Sequence, residues 1–74
     1  MLSKDLLIEI KKAILEAEKN HNKKVEVHYQ ILKNAKELSK LSSEDFCKIF
    51  NLSKGYQIEF KNMIHLAKRM ESNL

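Results

Sequence analysis

Apolar residues along the chain recur three and four positions apart rather than alternating, which points to helices packed by one face and not to strands. From Ser3 to Lys19, the side chains of Leu6, Ile10, Ala13, Ile14 and Ala17 fall on one side at about 100° per residue. Ser3 precedes the run as an N-cap, and Asp5 lies in the first turn, where free amides favour an acid. The polar run Asn20-His21-Asn22-Lys23-Lys24 interrupts the pattern and reads as the first loop, with side chains that tolerate a left-handed backbone. A second helix is expected over about 25–39, with Val27, His28, Ile31, Leu32, Ala35 and Leu38 inward and Glu26, Lys33, Lys36 and Glu37 opposite.

The next start is sharper. Ser42 is placed to cap, Asp45 follows three residues on, and Leu41 can staple to Phe46. This third helix is expected over 43–50, with Asn51 at the position that wants a positive φ. Ser53 then reads as the cap of a fourth helix running to about residue 71. The predicted fold class is all-α: a small four-helix bundle (helices about 3–19, 25–39, 43–50 and 53–71) in one domain over 1–74. Residues 41–70 would form a helix-turn-helix unit, two helices joined by a short turn.

Composition supports helices. There is no proline, and Gly55 is the single glycine, so a turn-rich β architecture has little to build on. A chain of 74 residues buries only about 60% of its unfolded surface, so self-association would usefully add to the core. One cysteine, Cys47, leaves no internal disulfide and suits a reducing cytoplasm. The stretch from Leu6 to Leu15 is broken by Glu9, Lys11 and Lys12, and is too short for a membrane span. A cytoplasmic protein without a membrane partner is expected.

Charge placement changes the picture more than its net value of +4. Residues 1–47 carry nine lysines against eight acids, whereas 48–70 carry Lys48, Lys54, Lys61, Lys68 and Arg69 against Glu59 alone. The excess sits where an anionic partner would meet the last helix.

The helix-turn-helix positions fit in detail. Cys47 is the small residue where two helices cross, Phe46 and Phe50 flank it, Asn51 makes the turn, Leu52 plugs the corner, and Phe60 points inward. Gln57 departs from the pattern, since its slot is usually aliphatic; Tyr56 and Met63 are expected inward instead, rotating the last helix. Tyr56, Phe60, Met63, Ala67 and Met70 cluster within about 40° of one another's mean direction. On the far side lie Lys54, Gln57, Lys61, Asn62, His65, Lys68 and Arg69, with Ile58 among them and Glu59 and Glu71 on the flanks. Cations for phosphates beside amides that read adenine edges make this arc the candidate DNA-binding face.

The segment Ser53-Lys54-Gly55-Tyr56-Gln57-Ile58-Glu59-Phe60, followed by Leu66-Ala67-Lys68 and preceded by the helix from Val25 to Leu38, resembles the short bacterial helix-turn-helix-like (HTH-like) domain proteins. The similarity spans most of the chain. It implies a DNA-binding role, and under it a polar residue after Tyr56 is ordinary.

Other chemistry is thin. His28 is expected as a half-buried core histidine bonded to a carbonyl, and His21, His65 and Cys47 share no metal-ligand spacing with it. Glu16 and Glu18 diverge by about 200° on a helix and cannot act as a catalytic pair. No enzyme, cofactor or metal is expected. Ile8 and Leu15 fall opposite the main face of the first helix, seven residues apart, and suggest a homodimer seam. Such a dimer would set two last helices on successive major grooves of duplex DNA, as in a transcriptional regulator. The competing class is a protein-interaction module, such as a phage- or mobile-element-encoded inhibitor whose basic face occupies an acidic partner.

Overall fold

A computed structural model describes residues 2–72; residues 1, 73 and 74 of the expected domain lie outside the described residues. Five helices follow in order: α1 (Lys4–Lys19), α2 (Lys23–Lys33), α3 (Ala35–Leu38), α4 (Ser43–Ile49) and α5 (Tyr56–Ser72). No described residue lies in a strand, and no helix among them is long and apolar enough to cross a membrane.

Local signals set most boundaries. The Ser3 hydroxyl accepts from the Leu6 amide at 3.1 Å, and the Ser42 hydroxyl accepts from the Asp45 amide at 3.1 Å. Both α1 and α4 end in the same left-handed device. His21 (φ 60°) and Asn51 (φ 53°) follow the last helical turns of α1 and α4. The amides two residues past each C-cap, Asn22 and Leu52, donate to the Ala17 and Cys47 carbonyls, each at 2.8 Å. A side chain with a Cβ is strained at positive φ, so His21→Gly should stabilise the domain by about 0.5–1 kcal/mol, or roughly 4 °C in Tm. A thermal melt showing no gain, or a loss, would contradict that reading of the turn.

Three boundaries differ from expectation. α2 begins at Lys23 behind Asn22, so Lys23 and Lys24, expected in the first loop, form its first turn. The predicted helix over 25–39 divides at Asn34, whose side-chain amide donates to the Gln30 carbonyl and to Gln30 Oε1, both at 3.2 Å. An asparagine that competes for backbone in this way disturbs a helix without interrupting its apolar pattern. Gln30 is itself buried and donates to Glu26 Oε2 at 2.6 Å, so Glu26, Gln30 and Asn34 form a ladder along α2. The last helix begins at Tyr56 instead of Ser53. Lys54 and Gly55 form a tight turn in which the Tyr56 and Gln57 amides donate to the Ser53 and Lys54 carbonyls, both at 3.0 Å. Glycine disfavours the helical state, and the helix proper starts beyond it. The connection from α4 to α5 is thus residues 50–55, longer than the sequence suggests.

One apolar cluster draws on every helix: Ile10 and Ile14, Val27 and Ile31, Leu38, then Phe46, Cys47, Phe50 and Phe60. α2 packs against both α1 and α5, and α5 also packs against α4. The Phe46 ring stacks on Phe60 at 4.4 Å between centroids and is tilted against Phe50 at 5.0 Å. Such offset and tilted ring pairs add to the burial that holds α4 on α5. Cys47 is buried where those helices meet, and burial pushes its thiol above the ordinary value. It remains a protonated, packed side chain at neutral pH.

Candidate nucleic-acid interface

The orientation of α5 decides which of its side chains a partner can reach. Phe60 is buried, and Tyr56, Gln57, Met63, Ile64 and Ala67 are half-buried around it. The inward face is therefore centred on Phe60 and takes in both Tyr56 and Gln57, with Ile64 a contributor that helical periodicity about Tyr56 leaves out. Met70, expected inward, is 53% exposed. At 17 residues α5 is about 25 Å long, against about 10 Å for α4 at 7 residues.

Lys61, Asn62, His65, Lys68 and Arg69 stand exposed on the outward side of α5. Lys54 is exposed on the turn ahead of the helix, and Gln57 is partly covered at the border of the packed face. Ile58 is 65% exposed among the cations. Lys36 of α3, placed by the sequence on the solvent side of the second helix, borders one shallow depression together with Lys68 and Glu71. It is a further cation beside the face, and only the tertiary packing of α3 near α5 brings it there.

Of the two acids on α5, Glu71 is exposed in the last turn and Glu59 is treated differently. Glu59 is turned onto α2, where its carboxylate lies 3.2 Å from Lys24 Nζ and 3.6 Å from His28 Nε2. Lys23, one residue earlier, sits 5.9 Å from the centre of the Tyr56 ring. The first turn of α5 is thus held by the first turns of α2. The carbonyl bond expected of His28 is not made; its Nε2 is buried without a hydrogen-bond partner and faces this carboxylate. Nothing in the periodicity of either helix reveals the pairing, although Glu59 is the lone acid among the five cations of residues 48–70.

The hydrogen bond and charge of Lys24 hold the Glu59 carboxyl below its ordinary value. A carboxyl with a folded pKa below its unfolded one stabilises the fold above about pH 4.3, and that contribution is lost as pH falls through the folded value. Glu59→Gln should therefore melt earlier than the parent at pH 7, with the gap closing below about pH 4. Parallel melting curves that keep a constant gap down to pH 2 would remove the ion pair from the account.

The turn at Asn51, the small buried Cys47 and the aromatic closure by Phe46, Phe50 and Phe60 join α4 to α5, with α2 packed against α5. The HTH-like domain family matches residues 2–73, nearly the whole chain. The chain belongs to the HTH-like domain family. No curated protein and no solved structure matches it. In this HTH-like domain the matched region takes in α1 as well as α4 and α5.

Proposed function

We propose that this HTH-like domain binds duplex DNA by laying the outward face of α5 in a major groove and acts as a transcriptional regulator. One observation carries the reading: the outward face holds Lys61, His65, Lys68 and Arg69 while Glu59 is drawn away and neutralised on α2. A solvated helix face ordinarily mixes signs for pairing along the helix. Here the pairing is made to another helix, and the exposed face keeps a cationic surface for a polyanion.

Roles follow from position. Lys54, at the amide end of α5, and Lys61, Lys68 and Arg69 along it contact phosphates, which fix register without reading sequence. Asn62 is the exposed amide best placed to pair with adenine edges, and Ile58 offers an apolar contact for a thymine methyl. Gln57, half-covered, reaches the groove only through its terminal amide, and His65 supplements the phosphate set.

Selection from a random duplex library tests the proposal. An enriched motif that loses its adenine preference in Asn62→Ala supports sequence-specific binding, the drop in discrimination being about 1–3 kcal/mol. Retention of duplexes without an enriched motif supports general DNA binding. Failure to retain any duplex overturns the proposal.

A further inference from the structure

The outward face of α1 gathers a second set of cations that lies apart from α5. Taking Ile8 as reference, Lys4, Lys11, Lys12, Leu15 and Lys19 all fall within about 60° of it. All six side chains are exposed, Ile8 at 56% and Leu15 at 61%. Among the described residues none of these four lysines is ion-paired. Of the acids beside this stripe, Glu9 pairs with Lys33 at 3.9 Å and Glu18 with Lys23 at 3.6 Å, while Asp5 and Glu16 stand exposed along the edge opposite Lys11.

Leu15 also stands at the edge of a groove of about 240 Å³ between α1 and the end of α4, walled by Ile14, Ile49 and Phe50, with Lys11, Asn51 and the Glu18–Lys23 ion pair also lining it. That volume lies below the roughly 300–1,000 Å³ of small-molecule sites, and it suits a side chain better than a free ligand. No residue of α5 lines it.

We propose that the Ile8–Leu15 face of α1 and this groove form a docking surface for an acidic amphipathic helix of another protein. The partner helix seats a large apolar side chain in the groove beside Phe50, lays a second on Ile8 two turns away, and sets Glu or Asp against Lys4, Lys11, Lys12 and Lys19. This combines an apolar anchor in a recess with charges that steer and orient, a recurrent form of helix recognition. Charge complementarity selects the occupant. A second copy of this chain, docked about a two-fold axis, would bring the same four lysines against these four. A phosphate backbone or a lipid headgroup layer satisfies the lysines and leaves the apolar recess unfilled.

The test uses the whole chain and a fluorescein-labelled helical peptide of about 15–20 residues. It carries Leu and Phe at i, i+4 and i+7 with Glu on both flanks; a second peptide carries Lys in place of Glu. The acidic peptide is expected to bind and to shift amide resonances on α1 and around Ile49 to Asn51, while the basic one does not bind. Leu15→Asp, and separately Lys11→Glu with Lys12→Glu, should each weaken binding by roughly tenfold or more. Their far-UV spectra should stay helical, and duplex binding should be retained in Leu15→Asp. The proposal is overturned if the acidic peptide fails to bind, if the variants bind it as the parent does, or if the shifts fall on α5. It is equally overturned if Leu15→Asp dissociates a dimer seen by sedimentation, or abolishes binding to phosphatidylserine vesicles, since the face then belongs to that other occupant.

Discussion

Phe46→Ala is expected to remove a large share of the domain's stability, because this ring is the buried link between α4 and α5. It is 1% exposed, stacks on Phe60 and leans on Phe50, and so joins α4 to α5. Truncating a buried phenylalanine to alanine costs about 3–5 kcal/mol, part of it for the void left behind. A domain of 74 residues has a total stability of only about 4–11 kcal/mol. Urea denaturation followed by far-UV ellipticity should show the midpoint falling by about a quarter or more, or no cooperative transition at all. Phe50, also buried but away from the Phe60 stack, should cost less when truncated. A Phe46→Ala protein unfolding at the parent's midpoint would mean that α4 is not held on α5 as described.

The second large effect is on DNA. Lys61→Glu combined with Lys68→Glu should reduce duplex affinity by roughly a hundredfold or more, about tenfold for each phosphate no longer held. The two residues lie seven positions apart on one stripe of α5, about 10 Å along the axis, and both are exposed. Each replacement removes a cation and installs an acid, so the face gives up its excess charge while the core residues behind it are untouched. Exposed substitutions of this kind usually change stability by less than about 0.5 kcal/mol, and the melting curve should stay close to the parent's. Fluorescence anisotropy with a labelled duplex separates the two outcomes. Undiminished affinity would move the DNA-binding surface off α5 altogether.

The parts of this architecture that depend on neighbours in sequence were legible from it. Ser3 and Ser42 cap amides three residues away, Asn51 turns the chain at the end of α4, and Phe46, Cys47, Phe50 and Phe60 lie inward as their spacing requires. The departures each have a tertiary or competing cause. Apolar spacing runs unbroken through Asn34, so the division of α2 from α3 is visible only in the bonds its side chain makes to Gln30. The delayed start of α5 follows from Gly55, whose low helical preference outweighs the capping promise of Ser53. Periodicity places Met70 inward, whereas its side chain is 53% exposed.

The candidate interface was legible as a stripe of cations but not as an isolated one. Helical spacing alone puts Glu59 on the flank of the basic face, where it would weaken an anion's attraction. That it spends its charge on Lys24 and His28 is a property of how α2 and α5 cross. The α1 surface shows the same limit. Nine lysines and eight acids in residues 1–47 look balanced along the chain, yet the lysines of α1 gather on one outward face.

Salt dependence of duplex binding by the unmodified chain tests the central claim most directly. If Lys54, Lys61, Lys68 and Arg69 each neutralise a phosphate, log affinity against log salt should fall with a slope of about −3 to −4, at about −0.9 per phosphate. Tight binding at low salt with that slope is the result expected. No duplex binding at low salt, or an affinity indifferent to salt, would contradict it.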